Sequence, residues 1–368
     1  MRLVALVAIA ACGGGGGGGG GGKAKPIGPS IDEKQAEKDA KGLAAEILDT
    51  LGRGNKDSLF SLLDDALMTF GPRRTDAAAN RTDALVALGA LVDPKAKKKL
   101  SLRSSSLEVV ASPGGRSAWA FEVISVDGEP HAVTAILSNA DDLWQVEAAV
   151  IAHTPTRGSI KTQAGKDAIV PPGATSKTKL DGAASIAVEK FKKGLLDPES
   201  WGVDLAGRTD AMVIGPAAGE VTRGKKEIKK LWKKRVEQQT RAVVSGEIVS
   251  AVTRDGQLAW VTAPITQVAE EQEPLPLRAF AVFEKSESGW TLIALHESLA
   301  FDEAGAGAPF KKVRPPVVAP PKEPEPVVAE EPKKKKKKAK PVEEDDPPKK
   351  KKKKKKTENK PKPKPDDE

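Results

Sequence analysis

The chain has 368 residues, with 60 Lys or Arg against 51 Asp or Glu, three His, one Cys and no Tyr. Its formal charge of +9 sits at one end: residues 311–368 hold 21 Lys and one Arg against 12 Asp or Glu, or +10, which leaves −1 for the rest. The remainder therefore has no basic bias towards nucleic acid, and a single cysteine excludes both an intrachain disulfide and a cysteine-built zinc cluster.

Met1 and Arg2 precede the apolar run Leu3 to Ala11. Nine such residues span about 14 Å as a helix, well short of a bilayer core. The pattern predicts a signal peptide at 1–11. The stretch Ile9-Ala10-Ala11-Cys12 resembles the lipobox of bacterial lipoproteins. That resemblance implies cleavage before Cys12, a diacylglycerol on its sulfur and an acylated amino terminus, with chains such as palmitate. Gly13 rather than Asp follows the cysteine, which by the same resemblance favours the outer membrane of the cell envelope. Glycines 13–22 open a tether, residues 12–31, and ten of them reach about 17–19 Å as a flexible coil.

Residues 32–153 predict one domain. Leu43, Ile47 and Leu51 repeat at spacing four and place a helix over 32–53. A short helix at 56–64, a strand at 66–70 and a helix at 82–92 follow, the last capped by Asn80 or Thr82. Strands are expected at 105–111, 117–126, 130–138 and 143–152, with Gly114-Gly115 and Asp127-Gly128 at hairpin turns. A Pro-, Gly- and Lys-containing linker occupies 154–179.

Residues 180–302 repeat this order. The helix at 181–194 carries Ile186, Val188 and Phe191; a turn or helix follows at 198–205, then a strand at 210–214. An amphipathic helix at 225–238 sets Ile228, Leu231, Trp232 and Arg235 against lysines. Strands at 242–252, 257–268, 276–285 and 289–299 close the unit. The duplication is visible in local matches: DALMTFGP at 65–72 with DAMVIGP at 210–216, and an Ala-Trp pair opening the second long strand at Trp119 and Trp260. Trp144 and Trp290 mark the final strand of each half, and all four tryptophans are expected to pack the sheets.

Helices first, a brief strand, another helix and a four-stranded meander define an α+β unit with helices covering one face of a curved antiparallel sheet. The run RTDAMVIGPAAGEVTRGKKEIKKLW, with Asp210, Gly215, Arg223-Gly224 and Ile228, resembles the NTF2-like, SnoaL-like superfamily, as does GWTLIALHES in the final strand. In the first half Asn80-Arg81-Thr82-Asp83 stands where the second has Arg223-Gly224-Lys225. The resemblance implies two cone-shaped domains, each enclosing a pocket. In some members the pocket is an isomerase, cyclase or hydrolase site, and in others it holds only a ligand or partner. It also implies that the two halves could pair sheet to sheet within the chain.

Proton transfer needs a positioned acid or base. His131 is expected to face solvent and His153 to end a strand at the surface. Counting in twos from Trp290 puts Leu292, Ala294, His296 and Ser298 on one face, and Ile293, Leu295 and Glu297 on the other. Asp210 and His296 are therefore the catalytic candidates. No motif for a cofactor or metal is present: GPAAGE lacks the context of a phosphate loop. The Pro- and Lys-rich tail, 303–368, is expected to stay disordered and to contact anionic envelope surfaces through its lysine runs. The composite expectation is a non-enzymatic envelope lipoprotein whose cones bind a small ligand or protein, or act as a scaffold. The alternative is a SnoaL-like hydrolase or isomerase with its site in the second domain.

Overall fold

A computed structural model describes residues 29–71, 77–88, 101–140, 142–160, 182–270, 272, 274–287 and 289–299. Cys12, the glycine tether, most of the linker and the lysine-rich tail lie outside the described residues.

The first half opens with helix α1, Glu33–Arg53, whose first-turn amides are capped by Asp32 accepting from Gln35 N at 3.0 Å. Gly54 ends it in the left-handed conformation at φ 67°, where a side chain would be strained. Helix α2, Lys56–Leu62, runs directly into strand β1, Leu63–Phe70. A two-residue strand β2, Ala77–Ala78, and helix α3, Arg81–Leu88, follow. Asn80 is the cap: its Oδ1 accepts from Asp83 N at 2.9 Å. Strands β3 (Leu102–Ala111), β4 (Ser117–Val126), β5 (Glu129–Ala140) and β6 (Leu143–His153) form the meander. The sheet order is β2-β1-β6-β5-β4-β3, with β1 parallel to β6 and every other pairing antiparallel.

The second half has helices α4 (Gly182–Leu196) and α5 (Pro198–Ala206), short strands β7 (Met212–Ile214) and β8 (Val221–Arg223), and helix α6 (Lys225–Glu237). Strands β9 (Arg241–Val244), β10 (Val249–Val252), β11 (Leu258–Val268), β12 (Leu275–Ser286) and β13 (Gly289–Leu299) complete it. The order β10-β11-β12-β13-β7-β8 reproduces the first sheet, again with one parallel pairing, β7 to β13. The single strand expected at 242–252 is two strands, both paired to β11. Between them Gly246 lies against Pro264, whose Cγ would stand 2.8 Å from an added Cβ. Proline gives β11 no ladder donor at that point, which is where the edge pairing breaks.

Each half is therefore an α+β cone, with its helices closing one face of a curved sheet. All described residues belong to one compact unit, and the two sheets share a third core between their other faces. Phe70, Trp119, Phe121, Ile136 and Val150 of the first half meet Ile214, Leu258, Trp260, Phe280 and Ile293 of the second. The Trp260 ring stacks on Phe280 at 5.7 Å and meets Phe70 edge-on at 6.2 Å. Arg278 crosses from β12 to donate to the Gly71 carbonyl at 2.5 Å, with its guanidinium 5.4 Å from the Phe70 ring. Strand alternation explains the division of labour. On β4, Trp119 and Phe121 face the other sheet, while Ala118 and Ala120 face the helices.

Candidate functional site

The interiors of the two cones differ. In the second half Phe191, Trp201, Trp232, Phe283 and Trp290 fill the space between helices and sheet. Two glycines make room for the indoles. A Cβ on Gly194 would fall 1.8 Å from Trp201 Nε1, and one on Gly202 would fall 2.3 Å from Trp232 Cδ1. In the first half the corresponding cluster is built from Ala40, Leu43, Leu59, Leu63, Leu67 and Leu137. Aliphatic side chains leave a cavity of about 140 Å³.

That cavity is bounded by α1, α2, α3 and all six strands of the first sheet, and its wall is almost wholly apolar. Among the described residues, Glu122 on β4 is the ionisable one of its lining. It is 8% exposed. Burial raises its carboxyl above the ordinary carboxylate range, and a hydrogen bond from Ser104 pulls it partly back. Counting from the paired tryptophans, Trp119 and Trp260, the residue in the second half at the Glu122 position is Ala263. The carboxyl is thus a feature of the first cone. Sequence reasoning passed over Glu122, although a signal was present. In AWAFEVIS it occupies the helix-facing phase with Ala118, Ala120 and Ile124, where an acid is out of pattern.

The residues singled out from the sequence go elsewhere. Asp210 is held by Arg208, with Nε to Oδ1 at 2.9 Å and Nη2 to Oδ2 at 2.7 Å, and the same guanidinium bonds Glu284. The Arg208 bond keeps the Asp210 carboxyl below its usual range. His296 is 1% exposed and turns away from the second cone into the core between the sheets. Its Nδ1 lies 2.9 Å from Thr134 Oγ1 of the first half. Ile214 is the partner of His296 in the β7–β13 ladder. Asp210 lies four residues upstream, about 13 Å at strand spacing. The structure does not bring the two together.

The reason is a bulge. On β13, Ala294 pairs with Val282 but Leu292 pairs with Phe283, so Ile293 is the extra residue. Leu292 therefore faces the cone, while Ala294 and His296 face the other sheet, and simple alternation fails at Ile293. Glu297 points to α6, where Arg235 Nη1 donates to it at 2.9 Å. The first half carries the same bulge between Val146 and Ala148, with Glu147 as the extra residue. His131 is buried at 2% exposure rather than facing solvent, because β5 is covered on both faces. It contacts His153 with ring centroids 5.4 Å apart, and burial lowers its imidazole below the usual histidine range.

Among the described residues no group of three or more His, Cys, Asp or Glu is arranged to hold a metal ion. No helix among them is long and apolar enough to cross a membrane.

Residues 203–302 match the family model of the SnoaL-like domain. No curated protein matches the chain in sequence. Among solved structures, an NTF2-like protein of unknown function from Pseudomonas putida is 13% identical, with 35% of this chain and 91% of that chain covered at a TM-score of 0.30. An NTF2-like protein from Cytophaga hutchinsonii is 16% identical, with 32% and 96% covered at 0.27. An NTF2-like protein of unknown function from Shewanella baltica is 10% identical, with 34% and 99% covered at 0.27. Residues 203–302 are thus similar to the SnoaL-like domain, and both halves share one α+β architecture of helices on a curved sheet.

Proposed function

We propose that this chain is a ligand-binding envelope lipoprotein. Its first cone takes a small, mainly apolar molecule and its second cone supports the first. The observation that carries this reading is the first cavity: an apolar chamber with the buried Glu122 carboxyl at its wall. Such a chamber rewards apolar surface, and a single polar group fixes orientation. At about 140 Å³ it matches cavities known to admit a single aromatic ring. The Glu122 carboxyl offers a hydrogen-bonding group in an otherwise apolar wall, so a ring or short chain bearing a carbonyl or hydroxyl is the favoured ligand class. The lipobox-like Cys12 and the lysine-rich tail support the envelope placement, with the tail contacting anionic headgroups or polymers.

The test is thermal denaturation of the full chain with a panel of small phenols, ketones and hydrocarbons. A ligand that binds only the folded state raises the melting temperature with concentration. The expected result is a rise that Ala120→Leu abolishes by filling the cavity. Glu122→Leu should remove the preference for phenols and ketones over hydrocarbons of equal size. No rise with any member of the panel would sink the reading. For the anchor, Cys12→Ala should give protein that carries no lipid label; labelled protein from that variant would overturn it.

A second reading moves the hydrolase or isomerase site expected in the second domain to the first, with Glu122 in place of Asp210 and His296 as the acid–base residue. It requires turnover of a bound carbonyl compound that Glu122→Gln abolishes while binding persists.

A further inference from the structure

Helix α6 carries six lysines at 225, 226, 229, 230, 233 and 234. The i, i+1, i+4, i+5 spacing gathers them into two adjacent stripes. The opposite side, with Ile228 and Trp232, is buried against the second cone, and Arg235 is consumed by Glu297. Against these lysines the helix has two acids, Glu227 and Glu237, and among the described residues the one pair the lysines form is Lys233 to Glu237 at 3.8 Å. Lys225, Lys226, Lys229, Lys230 and Lys234 are left facing solvent.

This face is not uniformly polar. Along the groove between α5 and α6, Val203 and Val236 stand beside Lys229 and Lys233. The two valines are 69% and 47% exposed. Glu199 and Glu237 are the acids on that groove. Lysines interleaved with exposed aliphatic side chains suit a surface that is anionic outside and apolar beneath. Phosphate groups of a nucleic acid would use the lysines and leave the valines in water.

We propose that the α5–α6 face docks on an anionic phospholipid bilayer, with the lysines at the headgroups and Val203 and Val236 at the acyl boundary. This surface is separate from the ligand cavity of the first half, and it needs no lipid on Cys12. A tethered chain would be held with this side of its second cone towards the membrane.

The experiment uses the full chain with Cys12→Ser and a polarity-sensitive dye on Val236→Cys. The probes are vesicles of phosphatidylglycerol and of phosphatidylcholine, each with a brominated-lipid version that quenches the dye. Expected is a blue shift and quenching on phosphatidylglycerol vesicles alone. The same dye on Leu143→Cys, an exposed position in the first half, should not respond. Replacing Lys226, Lys229, Lys230 and Lys233 with Glu should raise the lipid needed for the shift by about tenfold or more, even where the tail still brings the chain down with vesicles. Val203→Asp, which leaves the lysines intact, should weaken the same signal. Vesicle binding with no change at position 236 would overturn the proposal and assign adhesion to the tail. A shift with double-stranded DNA in place of vesicles would overturn it in favour of nucleic acid.

Discussion

His296 on β13 and Thr134 on β5 join the two halves through one buried hydrogen bond, Nδ1 to Oγ1 at 2.9 Å. The other ring nitrogen, Nε2, is buried with no hydrogen-bond partner among the described residues. The residue proposed from the sequence as a catalytic base is therefore a polar contact inside an apolar interface, and burial pushes its imidazole down to about 3.

A neutral buried histidine binds its proton less readily than the unfolded chain does. Stability should therefore be complete above about pH 6.5 and fall as pH drops from there towards 3, by up to about 1.4 kcal/mol per pH unit. The double variant Thr134→Val with His296→Leu removes both polar groups and this slope. In urea denaturation its stability relative to the natural chain should improve steadily from pH 7 to pH 4. Thr134→Val alone strands Nδ1 and should cost about 1–3 kcal/mol at pH 7. Parallel pH profiles for natural chain and double variant would contradict the assignment.

Glu147, the bulged residue of β6, sits where the β10–β11 hairpin of the second half reaches the first. Burial pushes its carboxyl up to about 7, with the charges of Asp64 and Asp255 adding to the rise and Arg254 opposing it. The folded state therefore holds a proton that the unfolded chain releases between pH 4.5 and 7, and stability falls as pH rises through that window. Glu147→Gln should be the more stable protein at pH 8, by about 3 kcal/mol at most, and should match the natural chain at pH 4.5. Chemical denaturation at the two pH values checks both ends.

Arg254 bonds the buried carboxylate of Asp64 and lies 3.8 Å from Glu147. Its own side chain is 54% exposed, so solvent screens part of the interaction. Arg254→Ala leaves Asp64 buried without its cation and should cost about 1–2 kcal/mol. Adding Asp64→Asn should recover part of that loss. A double variant no better than the single one would show that the ion pair is not the cause.

Gly194→Ala would place a methyl within 2.1 Å of three atoms of the Trp201 indole. The ring is closed in by Phe191, 5.7 Å away. Overpacking of this kind costs about 1–3 kcal/mol. The loss should appear as a lower melting temperature with altered near-ultraviolet dichroism, and Trp201→Leu in the same chain should relieve it. A Gly194→Ala protein that melts with the natural one would mean that the indole has room to move.

Much of the fold was legible because it is written in local pattern. Apolar spacing marked α1 and α6, and paired turn glycines marked the hairpins. The two Ala-Trp openings at Trp119 and Trp260 revealed the duplication, and both tryptophans occupy the same inter-sheet core. The site was less legible. Period-2 counting along GWTLIALHES passed over the bulge at Ile293, which depends on how β12 pairs with β13 and leaves no mark in one strand alone. Glu122 was visible as an acid out of phase. Its importance depends on a cavity that only the packing of the helices on the first sheet creates.

The sequence by itself determined the order of elements, the repeat and the α+β class, because backbone hydrogen bonding and apolar periodicity act over a few residues at a time. It also carries the Cys12 signal and the charge imbalance of the tail. The tertiary structure decided that the first cone encloses a cavity, which face of β13 holds His296, and that Asp210 belongs to an arginine. Those outcomes follow from packing volumes and strand registers between residues far apart in the chain, and a one-residue bulge is enough to exchange an inner face for an outer one.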